Sequence, residues 1–171
     1  MATLVALVPA LPFAAVVPEA RLKAAFVSKF PQFVTWPPEV LDGRRSIDLC
    51  VASPNPFGDD LATLVEGETV AGRSLNVRLV DTLAELRGCH LLFVRSSIRG
   101  VVHPLLAAAE AFPILTVGDD EDFLDRGGIV GLHVIGGRVR FEVDDDAARR
   151  VGLRISSQLL TLAMSVRGGP R

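Results

Sequence analysis

Ser46-Ile-Asp-Leu-Cys-Val-Ala52 decides the fold, because it begins as an alternating strand and becomes continuously apolar, the pattern of a strand covered on both faces. A turn, Pro54-Asn-Pro-Phe-Gly58, follows it, and then a helical stretch from about Asp59 to Val65. The same unit recurs downstream. Leu75-Asn-Val-Arg-Leu-Val80 reads as a strand and Leu83 to Arg87 as a short helix, while His90-Leu-Leu-Phe-Val94 gives the strongest strand signal. A helix from about Ile98 to Glu110, a strand Pro113-Ile-Leu-Thr-Val117 and a short helix from Glu121 to Asp125 continue the order. Strands alternating with helices predict a parallel sheet with helices on both faces, a Rossmann-like three-layer α/β sandwich.

Upstream, Leu22, Phe26, Phe30 and Phe33 are spaced at helical intervals within a helix from Ala20 to about Thr35, which Pro31 ends or kinks. Downstream the rhythm changes. Ile129 to Ile135, Gly136-Gly137 and Arg138-Val-Arg-Phe-Glu-Val143 read as a hairpin with a two-residue glycine turn, adding an antiparallel edge. A C-terminal helix follows, with Asp144-Asp-Asp146 at its start and an end near Ser165. Gly152 makes a break into two helices plausible, and Ile155, Leu159 and Leu162 are placed toward the core.

With 171 residues and 49% hydrophobic content the chain holds one core of ordinary domain size. The division is a leader-like apolar segment 1–19, a single domain 20–167 and a tail 168–171. The leader-like segment lacks charge from Ala2 to Val17 and suits a secretory signal peptide or a floppy apolar terminus. Its prolines and short length make it a poor membrane span. A net charge of −2 and scattered arginines give no nucleic-acid footprint.

Candidate chemistry is sparse. The turn from Ser53 to Gly58 holds two prolines and one late glycine, unlike a dinucleotide loop. His90, His103 and His133 are too widely separated for a local metal motif, and Ser156-Ser157 have neither a nucleophile elbow nor an assignable base. Asp119 is read as an N-cap for the short helix that exits at Gly127-Gly128. No enzyme, cofactor or metal is therefore expected. Cys50 and Cys89, 39 residues apart, make either one bridge or two buried thiols. On the hairpin, Arg138, Arg140 and Glu142 alternate with Val139, Phe141 and Val143, so one set faces solvent. If that strand lies at the sheet edge, these three polar residues form a partner-binding surface, with Glu142 its first contact.

Lys23-Ala-Ala-Phe-Val-Ser-Lys-Phe30 with Phe33, Trp36 and Pro37, and Gly152-Leu-Arg-Ile-Ser-Ser-Gln-Leu-Leu-Thr-Leu-Ala163, together resemble the YfiR-like family of periplasmic proteins. Pro56-Phe-Gly58, Gly88-Cys-His-Leu-Leu-Phe93 and Gly127-Gly-Ile-Val-Gly131 extend the resemblance, which runs from about Arg21 to Val166. It implies a Cys50–Cys89 disulfide, a homodimer, and an exported protein that binds the periplasmic domain of a membrane diguanylate cyclase. Binding there would hold the cyclase inactive, lowering cyclic di-GMP and biofilm formation. The alternative is a periplasmic small-molecule sensor, using the crevice at the strand ends near Ser53 to Phe57 and Ser96-Ser97.

Overall fold

A computed structural model describes residues 17–96 and 99–169. Most of the leader-like segment, Ser97, Ile98 and the last two residues of the tail thus lie outside the described residues. Chain order is α1 (Glu19–Lys29), a 3-10 turn Phe30–Phe33, β1 (Val34–Thr35), α2 (Pro38–Leu41), β2 (Ser46–Ala52), α3 (Asp60–Val65), β3 (Thr69–Val70) and β4 (Arg73–Val80). It continues through a 3-10 turn Leu83–Leu86, β5 (Leu91–Val94), α4 (Arg99–Ala109), β6 (Leu115–Gly118), a 3-10 turn Leu124–Arg126 and β7 (Val130–Ile135). Last come β8 (Arg138–Asp144), α5 (Asp145–Arg150), β9 (Arg154–Ile155), α6 (Ser157–Leu162) and β10 (Ser165–Arg167).

Among the described residues the main sheet has eight strands in the order β10-β8-β7-β6-β5-β2-β4-β3. The neighbours from β4 through β2, β5 and β6 to β7 are parallel, β8 returns antiparallel, and β3 is antiparallel at the far side. This is the mostly parallel three-layer α/β architecture read from the sequence. The continuous apolar run of β2 has the reason expected: Ile47, Leu49 and Val51 enter the core under α1 and α3, while Cys50 and Ala52 enter the core under α4. Burial of both faces removes any need for polar alternation.

The start of the chain folds as its residues require. Pro31 has no amide hydrogen to donate, and α1 gives way to the 3-10 turn around it. Phe30 is buried, and both Phe26 and Phe30 pack against Phe141 of β8. Trp36 is buried too, its indole N–H donating to the His90 carbonyl at 3.3 Å.

The C-terminal helix is corrected. Gly152 has φ +81°, so α5 stops, and a Cβ there would come 3.2 Å from Pro37. Beyond it the chain pairs β9 with β1, forms the short α6 capped by Ser156, and then lays β10 parallel to β8. The hairpin strand β8 is therefore not the edge of the sheet along its second half. Leu162 is also corrected, since it is 66% exposed while Ile155 and Leu159 are buried as expected. Asp119 does not cap the turn Leu124–Arg126, whose N-cap is Phe123. The helix there is only a 3-10 turn because Phe123 is clamped between Gly118 and Gly128, where any Cβ would fall within 2.3 Å of its ring.

Candidate functional site

Among the places where the fold brings polar groups together, three hold residues singled out in the sequence. The first is the hairpin. Along β8 the alternation holds: Arg138 and Arg140 are exposed, and Phe141 and Val143 are buried. Glu142 is drawn inward. Its side chain is 14% exposed, one carboxylate oxygen lies 3.2 Å from His133 Nε2 of β7, and the other accepts a hydrogen bond from Ser165 Oγ of β10 at 3.2 Å. Gly131 makes this possible, since a Cβ there would stand 3.2 Å from the Glu142 side chain. Glu142 thus ties three strands together, and the charge that β8 presents to solvent is that of Arg138 and Arg140.

The second is a crevice of about 270 Å³ at the carboxyl ends of the parallel strands, lined by Glu19, Lys23, Pro56, Phe57, Phe93, Arg95 and Asp119. The chain leaves β2 for β4 on one side and returns to β5 on the other, so this is the point where the strand order reverses, the usual ligand crevice of open α/β sheets. Asp119 accepts hydrogen bonds from the Ser96 backbone N–H at 2.6 Å and from Lys23 Nζ at 2.8 Å, and Lys23 also reaches Glu19 at 2.5 Å. Burial works to lower the Lys23 pKa, but hydrogen bonds to Asp119 and Glu19 outweigh it, and the ammonium titrates above the ordinary lysine value. Phe57 and Phe93 supply an apolar wall, their rings 4.6 Å apart. Lys23 and Asp119 are 96 positions apart, and no local pattern in the sequence announces their pairing.

The third lies on the other face of the sheet. Cys50 of β2 and Cys89, just before β5, form a buried disulfide, the pairing that the resemblance implies. Arg78 of β4 spans it, Nη2 standing 3.5 Å from Cys50 Sγ and 3.4 Å from Cys89 Sγ and donating to the Glu85 carbonyl at 3.3 Å. Its Nε lies 3.6 Å from the Asp48 carboxylate. His90, buried beside them, accepts the Asp48 backbone N–H at Nδ1 over 3.0 Å, which leaves Nε2 as the protonated nitrogen, buried and without a partner among the described residues. Burial lowers the His90 pKa; Asp48 opposes the shift, and Arg44, Arg78 and Arg73 add to it. The imidazole is thus neutral and structural. Among the described residues no three His, Cys, Asp or Glu side chains gather closely enough to hold a metal ion.

Comparison with known proteins gives the family and the fold. A model of the YfiR/HmsC-like family matches residues 20–164. No curated protein sequence matches the chain. Among solved structures, a conserved domain protein from Vibrio cholerae O1 biovar El Tor is similar at TM-score 0.52 and 14% identity, over 76% of this chain and 57% of that one. The ABC domain from Streptococcus pneumoniae, solved in complex with L-Trp, is similar at TM-score 0.58 and 10% identity, over 84% of this chain and 60% of that one. The chain therefore spans about three fifths of the length of each, and at these identities the likeness is one of fold.

Proposed function

This chain belongs to the YfiR/HmsC-like family, and from that premise we propose that it is a periplasmic regulator that binds the periplasmic domain of a membrane diguanylate cyclase and holds it inactive. The observation that carries the reading is the family match itself, which covers the whole folded unit from α1 to α6. The structure is compatible with it in two respects. Two cysteines are joined, as suits an oxidising compartment, and among the described residues no helix is long and apolar enough to cross a membrane. Repression of this kind is a population shift: a protein that binds the inactive cyclase more tightly than the active one draws the equilibrium toward the inactive form. Lower cyclic di-GMP and less biofilm follow from it, and a homodimer of the regulator belongs to the same reading.

Arg138 and Arg140 are the residues of β8 that remain open to such a partner, since β10 pairs only with Glu142, Val143 and Asp144. The test is binding of the oxidised protein to the periplasmic domain of the diguanylate cyclase encoded beside its gene, followed by titration of the full-length cyclase in membranes. Specific binding and falling cyclase turnover are expected, with binding weakened about tenfold or more by Arg138→Glu with Arg140→Glu. Binding without any change in turnover would reject repression.

A second reading rests on the crevice around Lys23 and Asp119, which offers both signs of charge and an aromatic wall to a small metabolite. A metabolite that raises the melting temperature of the wild type but not of Asp119→Asn would favour it.

A further inference from the structure

The sheet has a second margin, beyond β4. The hairpin strand β3 covers only its beginning, pairing Val70 with Arg73 and Thr69 with Ser74. Backbone directions along β4 are fixed by its other contacts. The Ser74 N–H donates to the Arg45 carbonyl and the Val80 carbonyl accepts from Ser53 N–H, both on the β2 side, whereas the Leu75 N–H turns away to the Glu68 carbonyl. Backbone groups alternate sides along a strand, so Val77 and Leu79 turn both N–H and C=O outward, where no strand of the described residues meets them.

Sheet edges are ordinarily guarded by an outward lysine, a proline, a bulge or a covering loop. Here the stretch Asn76–Val80 has neither lysine nor proline, and no strand of the described residues lies beyond it. The charge it does carry, Arg78, is turned inward onto Asp48 and the disulfide. Leu79 is 53% exposed and Leu83, just past the strand, 47%. Against this edge lies an open groove of about 670 Å³ between β4 and α3, whose floor includes Ala62, Val65, Leu75 and Val77. Its charged lining is acidic: Asp59 and Glu66, neither with an ion-pair partner among the described residues.

We propose that the β4 edge is a strand-addition site for an extended segment of a partner protein that carries basic and apolar side chains together on one face. Val77 and Leu79 give that segment its backbone hydrogen bonds, and the side chains of every second residue enter the groove, the apolar ones on Val65 and Val77 and the basic ones facing Asp59 and Glu66. Charge decides between occupants. A second copy of this chain would bring the same two carboxylates, and antiparallel pairing of Val77 with Leu79 of the copy would set Arg78 against Arg78. The proposal does not rest on the regulator reading, because it concerns the edge and not the identity of the protein that supplies the strand.

The test uses the full chain with its disulfide intact and two synthetic peptides, acetyl-Lys-Thr-Val-Thr-Lys-Thr-Val-amide, whose lysines and valines share one face, and the same peptide with Glu for Lys. The basic peptide is expected to bind at least tenfold more tightly and to slow amide hydrogen exchange at Val77 and Leu79 by tenfold or more. Val77→Pro deletes an outward donor and no β2–β4 hydrogen bond, whereas Val77→Thr keeps that donor and gives up part of the same half-buried packing, so binding should be at least tenfold weaker in the proline variant than in the threonine one. Asp59→Lys with Glu66→Lys should reverse the preference between peptides. Equal affinity for the two peptides, or unchanged exchange at Val77 and Leu79 in the saturated wild type, overturns the proposal; the second measurement needs no variant to fold. Sedimentation in which Val77→Pro turns a dimer into a monomer overturns it in favour of a second copy.

Discussion

His90 shows how much a single buried side chain can fix. Its Nδ1 takes the Asp48 amide hydrogen and its own carbonyl takes the Trp36 indole hydrogen and the Leu115 amide hydrogen, so one residue joins β2, β6 and the segment ahead of α2. Protonation would put a second hydrogen on the nitrogen that must accept. Because burial holds the folded pKa below the ordinary value of 6.5, the unfolded chain takes up a proton before the native one does. The stabilisation is therefore fully present above about pH 6.5 and is lost as pH falls toward the depressed folded value. We expect thermal melts of the wild type to drop between pH 7 and pH 5 more steeply than those of His90→Asn, which retains an acceptor for the Asp48 amide. The variant itself should be less stable by about 1 to 3 kcal/mol at neutral pH, through the lost ring packing. The sequence reading of His90 as a satisfied core or surface histidine is met by its burial. Its partners were not legible, since a hydrogen bond from Asp48, 42 positions earlier, leaves no local trace.

Elements divide into those that propensity determines and those that only packing does. The parallel strands were readable because burial on both faces writes an apolar run, and the Gly136-Gly137 turn was readable because both residues need positive φ, +58° and +73°. The C-terminal helix was read as running to about Ser165, and the three residues from Ser165 to Arg167 carry no strand signal in so short a segment. What makes it β10 is tertiary: hydrogen bonding along β8, the Ser165 hydroxyl on Glu142, and Arg167 on Asp125 at 2.6 Å. Hence Glu142→Ala should free β10 before anything else. Amide exchange at Val166 and Arg167 is expected to quicken by at least tenfold with β4 unchanged, at a cost of about 1 to 2 kcal/mol in chemical denaturation. The same tie explains why Glu142, read from the sequence as a partner contact, is spoken for inside the domain.

For the molecule as a whole, the disulfide sits where the chain's two directions of travel along the sheet meet. Cys50 lies in the central β2 and Cys89 at the entrance to β5, so the bond closes the 39-residue excursion through α3, β3 and β4. In the chain-entropy account a loop of that length contributes roughly 4 kcal/mol by restricting the unfolded state. Cys50→Ser should lower the melting temperature under oxidising conditions and make it insensitive to reductant, whereas the wild type should fall toward the variant when reduced. Equal melting of both proteins in oxidant would count against that contribution. The sequence supplied the two cysteines and their separation. Their meeting follows from β2 and β5 being neighbours, a relation set by the crossing order.

The aromatic meeting of α1 with β8 has a consequence for how the chain can be assembled. Phe26 and Phe30 lean on Phe141, and Val34 pairs with Ile155, so the earliest described helix and the first strand are completed by some of the latest segments. Neither half of the sequence owns a finished interior. A nascent chain that has delivered α1 through β6 has built most of a sheet yet still shows the Phe26 and Phe30 side of α1 to water. The last thirty or so residues are then less an appendage than the closing piece, and until they arrive that apolar side stays uncovered.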